Sequence, residues 1–209
     1  MVAVDCRIGD FLAQDKHHAN KGFYMKLEDI VLTLEGDEPT AENITAFITI
    51  KYEKRIKKSY NHRTRRVESF KDATLTTVDL ILMLLVHGLR HGLFKTGATL
   101  DQVLMAAKAR GDRTLRWKYP EYPFVPAMTH PTAGTLTLST PARYKMAYST
   151  ILRMGDISGY LSRLLTHDIR RGAAKDLVRL PKEIMKASDA GTARALGHND
   201  IRSTRFYNI

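Results

Sequence analysis

The sequence is short of cysteine. Its one thiol, Cys6, excludes an internal disulfide framework and any site that needs several thiolates from a single chain. Long apolar runs are missing as well. The most apolar stretch, Leu80 to Val86, is bounded by Asp79 and His87. It falls far short of the roughly 20 residues a membrane-spanning helix needs, so no membrane partner is expected. Met1 to Arg7 has no charged start followed by an apolar core, and no secretory signal is read there. An intracellular protein is expected, nuclear if the host is eukaryotic. Acidic residues are the scarcer charge, 22 Asp+Glu against 33 Lys+Arg, for a net charge of +11. Against these shortages stand 209 residues that are 44% hydrophobic, enough for an ordinary core. This balance excludes a disordered polycation. It favours a folded domain with a polyanionic partner, nucleic acid or an anionic membrane surface.

Periodicity divides the chain. Ile30 to Leu34 and Ile44 to Ile50 are β-branched and partly alternating, and read as strands. Gly36-Asp37-Glu38-Pro39 separates them as a turn. Arg66 to Phe70 reads as a returning strand, so residues 24 to 70 form a small antiparallel sheet with a basic hairpin. That hairpin carries Lys51, Lys54, Arg55, Lys57, Lys58, Arg63, Arg65 and Arg66 against the single acid Glu53. Residues 7 to 14 allow a helical turn or two, followed by a polar loop with Lys16, His17, His18 and Gly22. From residue 75 the period is helical. A helix is predicted over Thr76 to Leu93, and Thr99-Leu100-Asp101-Gln102 is a capping box for a helix closing near Gly111. Residues 112 to 138, with Pro120, Pro123, Pro126 and Pro131, read as an irregular crossing. Pro141 suits the first turn of a helix running to about Met154, with more helices over 167 to 179, 189 to 196 and 200 to 206. The expected fold class is α+β, mainly helical, in one domain over 1 to 209.

The last third holds the informative pattern. His167 and Arg170 form an H-x-x-R pair, Leu196-Gly197-His198 follows, and Tyr207 stands nine residues after His198. The pair alone is cheap, since His62 with Arg65 and His87 with Arg90 repeat its spacing. Leu-Gly-His with a tyrosine at that distance is much rarer. In this order of residues the chain resembles the tyrosine recombinases, which cut and rejoin DNA. The resemblance implies their catalytic-domain fold. It matches Arg7, in Arg7-Ile8-Gly9-Asp10, to the first arginine and Lys54 to the hairpin lysine. His167 and Arg170 match the pair, His198 the second histidine and Tyr207 the nucleophile. Leu27-Glu28-Asp29-Ile30, Leu115-Arg116-Trp117-Lys118 and Ile169 to Ala174 look closest to recombinases of fungal mobile elements, the Captain and Crypton types. By the same resemblance the partner is double-stranded DNA, and the protein forms a homo-oligomer, a tetramer in the synapse. The family's DNA-binding clamp precedes the catalytic domain, yet only six residues precede Arg7. The reading is therefore a catalytic domain without its clamp.

The chemistry suits those residue types. Phosphodiester cleavage by an alcohol builds charge on the non-bridging oxygens of a pentacoordinate phosphorus. Arg7 and Arg170 can grip those oxygens, with His198 as a further donor. A phenol with a pKa of about 10 is a weak nucleophile, so Tyr207 needs cationic neighbours or a base. His167 is either that base or a hydrogen-bonding group. The leaving 5′-oxygen needs a proton, from Lys54 or, as runner-up, Lys57. No metal or cofactor is required. Lys51, Arg55, Lys57, Lys58, Arg63, Arg65 and Arg66 are candidate phosphate contacts. Arg171 and Lys175 either join them or cover a helix face. Asp10 reads as an orienter of arginine side chains. His17-His18 invites a metal reading, but an exposed pair on a loop is preferred. Trp117, Tyr119, Tyr122 and Phe124 either stack on bases or pack the proline-rich crossing, and packing is preferred. Two other functions stay open: a DNA-binding remnant without catalysis, and relaxation of the type IB topoisomerase kind.

Overall fold

The computed structural model describes residues 8–51, 62–70, 79–130, 134–160, 163–165, 168 and 172. Two compact units share the chain: Gly9–Ala142, and Met1–Ile8 together with Arg143–Ile209. The described architecture is α+β.

In the first unit, β1 (Ile30–Leu34), β2 (Ile44–Ile50), β3 (Arg63–Glu68) and β4 (Thr114–Leu115) form one antiparallel sheet in the order β3-β2-β1-β4. Alternation assigns the two faces. Ile30, Leu32 and Leu34 stand opposite Ile48, Ala46 and Ile44, and all six are buried. Helix α3 (Leu80–Arg90) packs against β2, and α4 (Leu100–Lys108) packs against β1 and β4. Ile81, Leu84 and Leu85 of α3 and Val103, Leu104 and Ala107 of α4 are buried. Full burial of each such Leu or Ile stabilises the fold by roughly 1.5–3 kcal/mol.

Side-chain caps set the helix starts. Asp79 is the N-cap of α3 and accepts from the backbone N–H of Ile81 at 2.8 Å and Leu82 at 3.1 Å. The same carboxylate accepts from Ser69 Oγ at 2.5 Å and Phe70 N–H at 2.7 Å, so it ties the end of β3 to the start of α3. Burial alone would raise the Asp79 pKa. The hydrogen bonds from Ser69, Phe70, Leu82 and Ile81 outweigh it and hold the carboxyl below the usual aspartate value. At α4, Thr99 caps Gln102 N–H, and the Gln102 side chain reaches back to Ala98 N–H, one residue beyond the N-cap N–H of a strict capping box.

Several elements depart from the sequence expectations. Helix α3 ends at Arg90 rather than Leu93, because Gly92 turns left-handed at φ 60°. Gly92 N–H then bonds Leu89 O, and Leu93 N–H bonds Gly88 O at 2.8 Å, which closes the helix as a Schellman motif. Strand β3 begins at Arg63, not Arg66. The polar stretch near His17 holds α2 (Lys16–Asn20), capped by Asp15, whose carboxylate accepts from His18 N–H at 2.8 Å. Within 112–138, read as irregular, lie β4 and most of a two-stranded ribbon, β5 (Pro126–His130) with β6 (Thr135–Pro141). Pro126 and Pro141 oppose each other at its end, where no ladder N–H is lost. Pro141 therefore closes a strand instead of opening a helix. In the second unit, α5 (Tyr144–Ile157) begins after the N-cap residue Arg143. Most of the helices expected beyond residue 167 lie outside the described residues.

Two outcomes are expected. Because the folded-state pKa of Asp79 lies below its unfolded value, the stability it contributes is present above about pH 4 and lost as pH falls through the folded pKa. Asp79→Ala should lower the unfolding free energy by about 0.5–2 kcal/mol at neutral pH and flatten the acid limb of the stability curve. Gly88 faces Phe94 so closely that a Cβ would lie 2.5 Å from the ring. Gly88→Ala should cost about 1–3 kcal/mol in denaturant melts, part of it recovered by Phe94→Leu in the same chain.

Candidate nucleic-acid interface

Strands β2 and β3 pair antiparallel with Ile50 opposite Arg63. Both ends of the basic segment 51–62 therefore meet at one end of the sheet. There the chain has built an ion pair. A 3-10 turn, Leu27–Asp29, leads into β1. Asp29 is only 3% exposed. One carboxylate oxygen accepts from Lys26 N–H at 2.9 Å, and the other lies 2.5 Å from Lys51 Nζ. Glu28 adds a weaker, half-exposed carboxylate 3.7 Å from the same ammonium and 3.5 Å from Lys26 Nζ. Lys51, expected as a phosphate contact, is thus held at the root of the hairpin by acids from the neighbouring strand's entry.

The register of β3 divides its arginines. Arg63 and Arg65 stand opposite Ile50 and Ile48, on the face that carries the core. Arg66 points to the other face, opposite Phe47. Its guanidinium contacts both oxygens of Glu35, at 3.1 and 2.9 Å, and Glu68 at 3.1 Å. Two carboxylates on one guanidinium leave little net positive charge there for a phosphate. The three β3 arginines therefore do not form one surface.

The aromatic residues of the crossing pack. Trp117 is 9% exposed, stacks on Phe94 at 4.9 Å, and donates Nε1–H to Ile30 O at 2.8 Å. Tyr119 and Tyr122 stack on each other at 4.6 Å, with Lys118 Nζ 5.2 Å from the Tyr119 ring centre. Phe124 meets Phe11 at 6.1 Å. Backbone bonds dock this segment on the entry to β1: Leu27 N–H to Tyr122 O, Glu28 N–H to Pro120 O, and Phe124 N–H to Met25 O. The crossing thus lies beside the Asp29–Lys51 pair.

Other singled-out residues have local explanations. Asp10 is buried on α1 (Ile8–Phe11). His18 Nδ1 lies 2.7 Å from the Asp15 carboxylate, so that histidine belongs to the α2 cap. No group of three or more metal-ligating side chains occurs among the described residues. His87, of the second H-x-x-R pair, edges against His91 at 4.8 Å on α3. Burial, and then repulsion from His91, pull its pKa down. No helix among the described residues is long and apolar enough to cross a membrane.

Arg7, Lys54, His167, Arg170, His198 and Tyr207 all lie outside the described residues, as do Cys6, Arg55, Lys57, Lys58, Arg171 and Lys175. The burial of Asp29 beside Lys51 is the feature the sequence reading missed, since Asp29 stood only inside a family-like motif. Its signal was faint: an acid just before one β-branched run and a lysine just after the next. Compared with protein-family models, curated proteins and solved structures, the chain matches none.

Packing, rather than base stacking, is the expected role of Trp117. Trp117→Phe keeps a ring against Phe94 and removes the indole hydrogen bond to the Ile30 carbonyl. It should lower stability by about 1–3 kcal/mol in urea melts.

Proposed function

We propose that the chain cleaves and rejoins DNA strands through a covalent 3′-phosphotyrosine intermediate, as a tyrosine recombinase acting in recombination, integration or transposition of a mobile element. The observation that carries this reading is Leu196-Gly197-His198 with Tyr207 nine residues on, preceded by His167 and Arg170. The antiparallel pairing of β2 with β3 supports it, because a hairpin lysine needs such a pair of strands beneath it. The cationic excess of residues 51–66 supports a duplex partner.

In this mechanism the Tyr207 oxygen attacks the scissile phosphorus. The Tyr207 O–P bond forms as the bond from phosphorus to the 5′-oxygen breaks. The phenolic proton passes to His167 or water, and Lys54 gives a proton to the departing 5′-oxygen. Arg7, Arg170 and His198 stabilise the charge on the non-bridging oxygens. Attack by a 5′-hydroxyl on the phosphotyrosine reverses these steps. The ester bond energy is conserved, so rejoining needs no nucleotide triphosphate. The charge stabilisation assigned here to arginine requires no metal. Assembly with further copies, a tetramer at the synapse, belongs to the same proposal, as does a nuclear location in a eukaryotic host.

The test is a nicked suicide duplex carrying element-end sequences, scored for a protein–DNA adduct on denaturing gels. Wild type should form the adduct and Tyr207→Phe should not. Arg170→Ala should cut adduct formation by about 10²–10³-fold while keeping most duplex binding, which is spread over many phosphates. An adduct that survives Tyr207→Phe contradicts the assignment of the nucleophile. Salt-sensitive binding with no adduct assigns the chain as a DNA-binding remnant. Plasmid relaxation without strand exchange assigns it topoisomerase-like activity.

A further inference from the structure

Part of the positive charge sits where the fold alone gives no reason for it. Phe94 and Trp117 face each other across a single antiparallel bridge, with Lys95 N–H bonded to Arg116 O at 2.8 Å and Lys118 N–H to Leu93 O at 2.7 Å. This register sets Lys95 directly opposite Arg116, with Cα atoms about 5.5 Å apart. Phe94 and Trp117 are buried, whereas Lys95, Arg116 and Lys118 are exposed. Like charges directly opposite each other on paired strands are destabilising. Asp112 offsets only part of this charge, because its one carboxylate serves two guanidiniums, Arg116 at 3.0 Å and Arg110 at 3.8 Å. Lys118 Nζ lies 5.2 Å from the centre of the Tyr119 ring. No carboxylate among the described residues pairs with Lys95 or Lys118.

Spacing and surroundings define the partner's chemistry. Arg116 and Lys118 stand two residues apart, roughly 7 Å along extended chain. Cations spread at such intervals meet separate charges, as a phosphodiester backbone presents them, rather than converging on one phosphate. A membrane surface would call for apolar side chains inserted beside the cations, yet Leu93, Phe94 and Trp117 are only 2%, 5% and 9% exposed. The backbone beneath the cations is anchored, since Trp117 stacks on Phe94 and donates to Ile30 O. Binding therefore has little chain to order. We propose that Lys95, Arg116 and Lys118 form a second duplex-contact surface, separate in sequence from the basic segment 51–66, which grips the phosphate backbone without reading bases. The inference rests on the duplex partner of the strand-cleavage reading and on none of its catalytic residues.

The experiment measures binding of the full chain to a fluorescein-labelled duplex of mixed sequence by anisotropy, between about 50 and 200 mM salt. Each phosphate contact adds about 0.9 to the slope of log affinity against log salt. Lys95→Gln combined with Lys118→Gln should flatten that slope by about 2, equally on unrelated sequences. Lys16→Gln combined with Lys21→Gln removes the same charge from α2 and should leave the slope unchanged. Asp112→Asn releases Arg116 and should steepen the slope by up to about 1. Lys95→Glu sets unlike charges opposite each other. It should melt about 1–3 °C above wild type while binding duplex more weakly, a split that a purely structural role would not produce. An unchanged slope in the variant of Lys95 and Lys118, or equal flattening by the α2 pair, overturns the surface; strand cleavage stands if the Tyr207 adduct still forms. Capture on phosphatidylserine vesicles that depends on these lysines, with the duplex slope unchanged, overturns it in favour of a membrane contact. The expected slopes without any adduct uphold the surface and end the strand-cleavage reading. A wild type that binds no duplex overturns both.

Discussion

A buried carboxylate, Asp29, paired with the partly exposed Lys51 ties together one end of the sheet. Asp29 links the 3-10 turn entering β1 to Lys51, the residue that follows β2 and begins the basic segment, across strands already paired by the β1–β2 ladder. The proline-rich crossing is docked on the same turn through Leu27 and Glu28. Trp117 donates to Ile30 at the start of β1 and stacks on Phe94, which in turn covers Gly88. Helix, crossing and hairpin root therefore share one small region of contact. Loss of the Asp29 charge would remove the nearer of the two carboxylates on Lys51 at the point where the chain departs from the sheet.

The net charge of +11 is less uniform in its consequences than its size suggests. Arg66 is neutralised by Glu35 and Glu68, Lys51 by Asp29 with Glu28, and Arg63 and Arg65 lie on the opposite face from Arg66. Exposed pairs such as Arg66–Glu35 contribute about 0–1 kcal/mol to stability, so their main effect is on local potential. The proposed duplex contact thus falls less on the strands of the hairpin and more on the basic residues carried between them.

Much of the sheet was legible because its cause is local. Ile30–Leu34 and Ile44–Ile50 are β-branched and alternating, and their bounds follow from that pattern. The Thr99 cap has an equally local origin, whereas Asp79 falls inside the helix expected from Thr76 and instead caps α3 at Leu80. Strand β3 was read late because Arg63, Thr64 and Arg65 are polar; an edge strand is held by its neighbour's ladder and leaves little apolar pattern. The β5–β6 ribbon was hidden by prolines, which mark irregular chain unless they fall at a strand end, as Pro126 and Pro141 do. The spacing of His198 and Tyr207 was visible as a motif. Asp29 was not, because its importance comes from burial beside Lys51, a tertiary fact that no spacing carries.

The proposed strand transfer has a defined direction, which a covalent linkage would record. The most direct measurement digests the protein–DNA adduct, maps the modified peptide by mass spectrometry and identifies the linked nucleotide end. The expected product is a 3′-phosphate esterified to Tyr207, with a free 5′-hydroxyl on the other strand end. Linkage through a 5′-phosphate, or to any residue other than Tyr207, would contradict it.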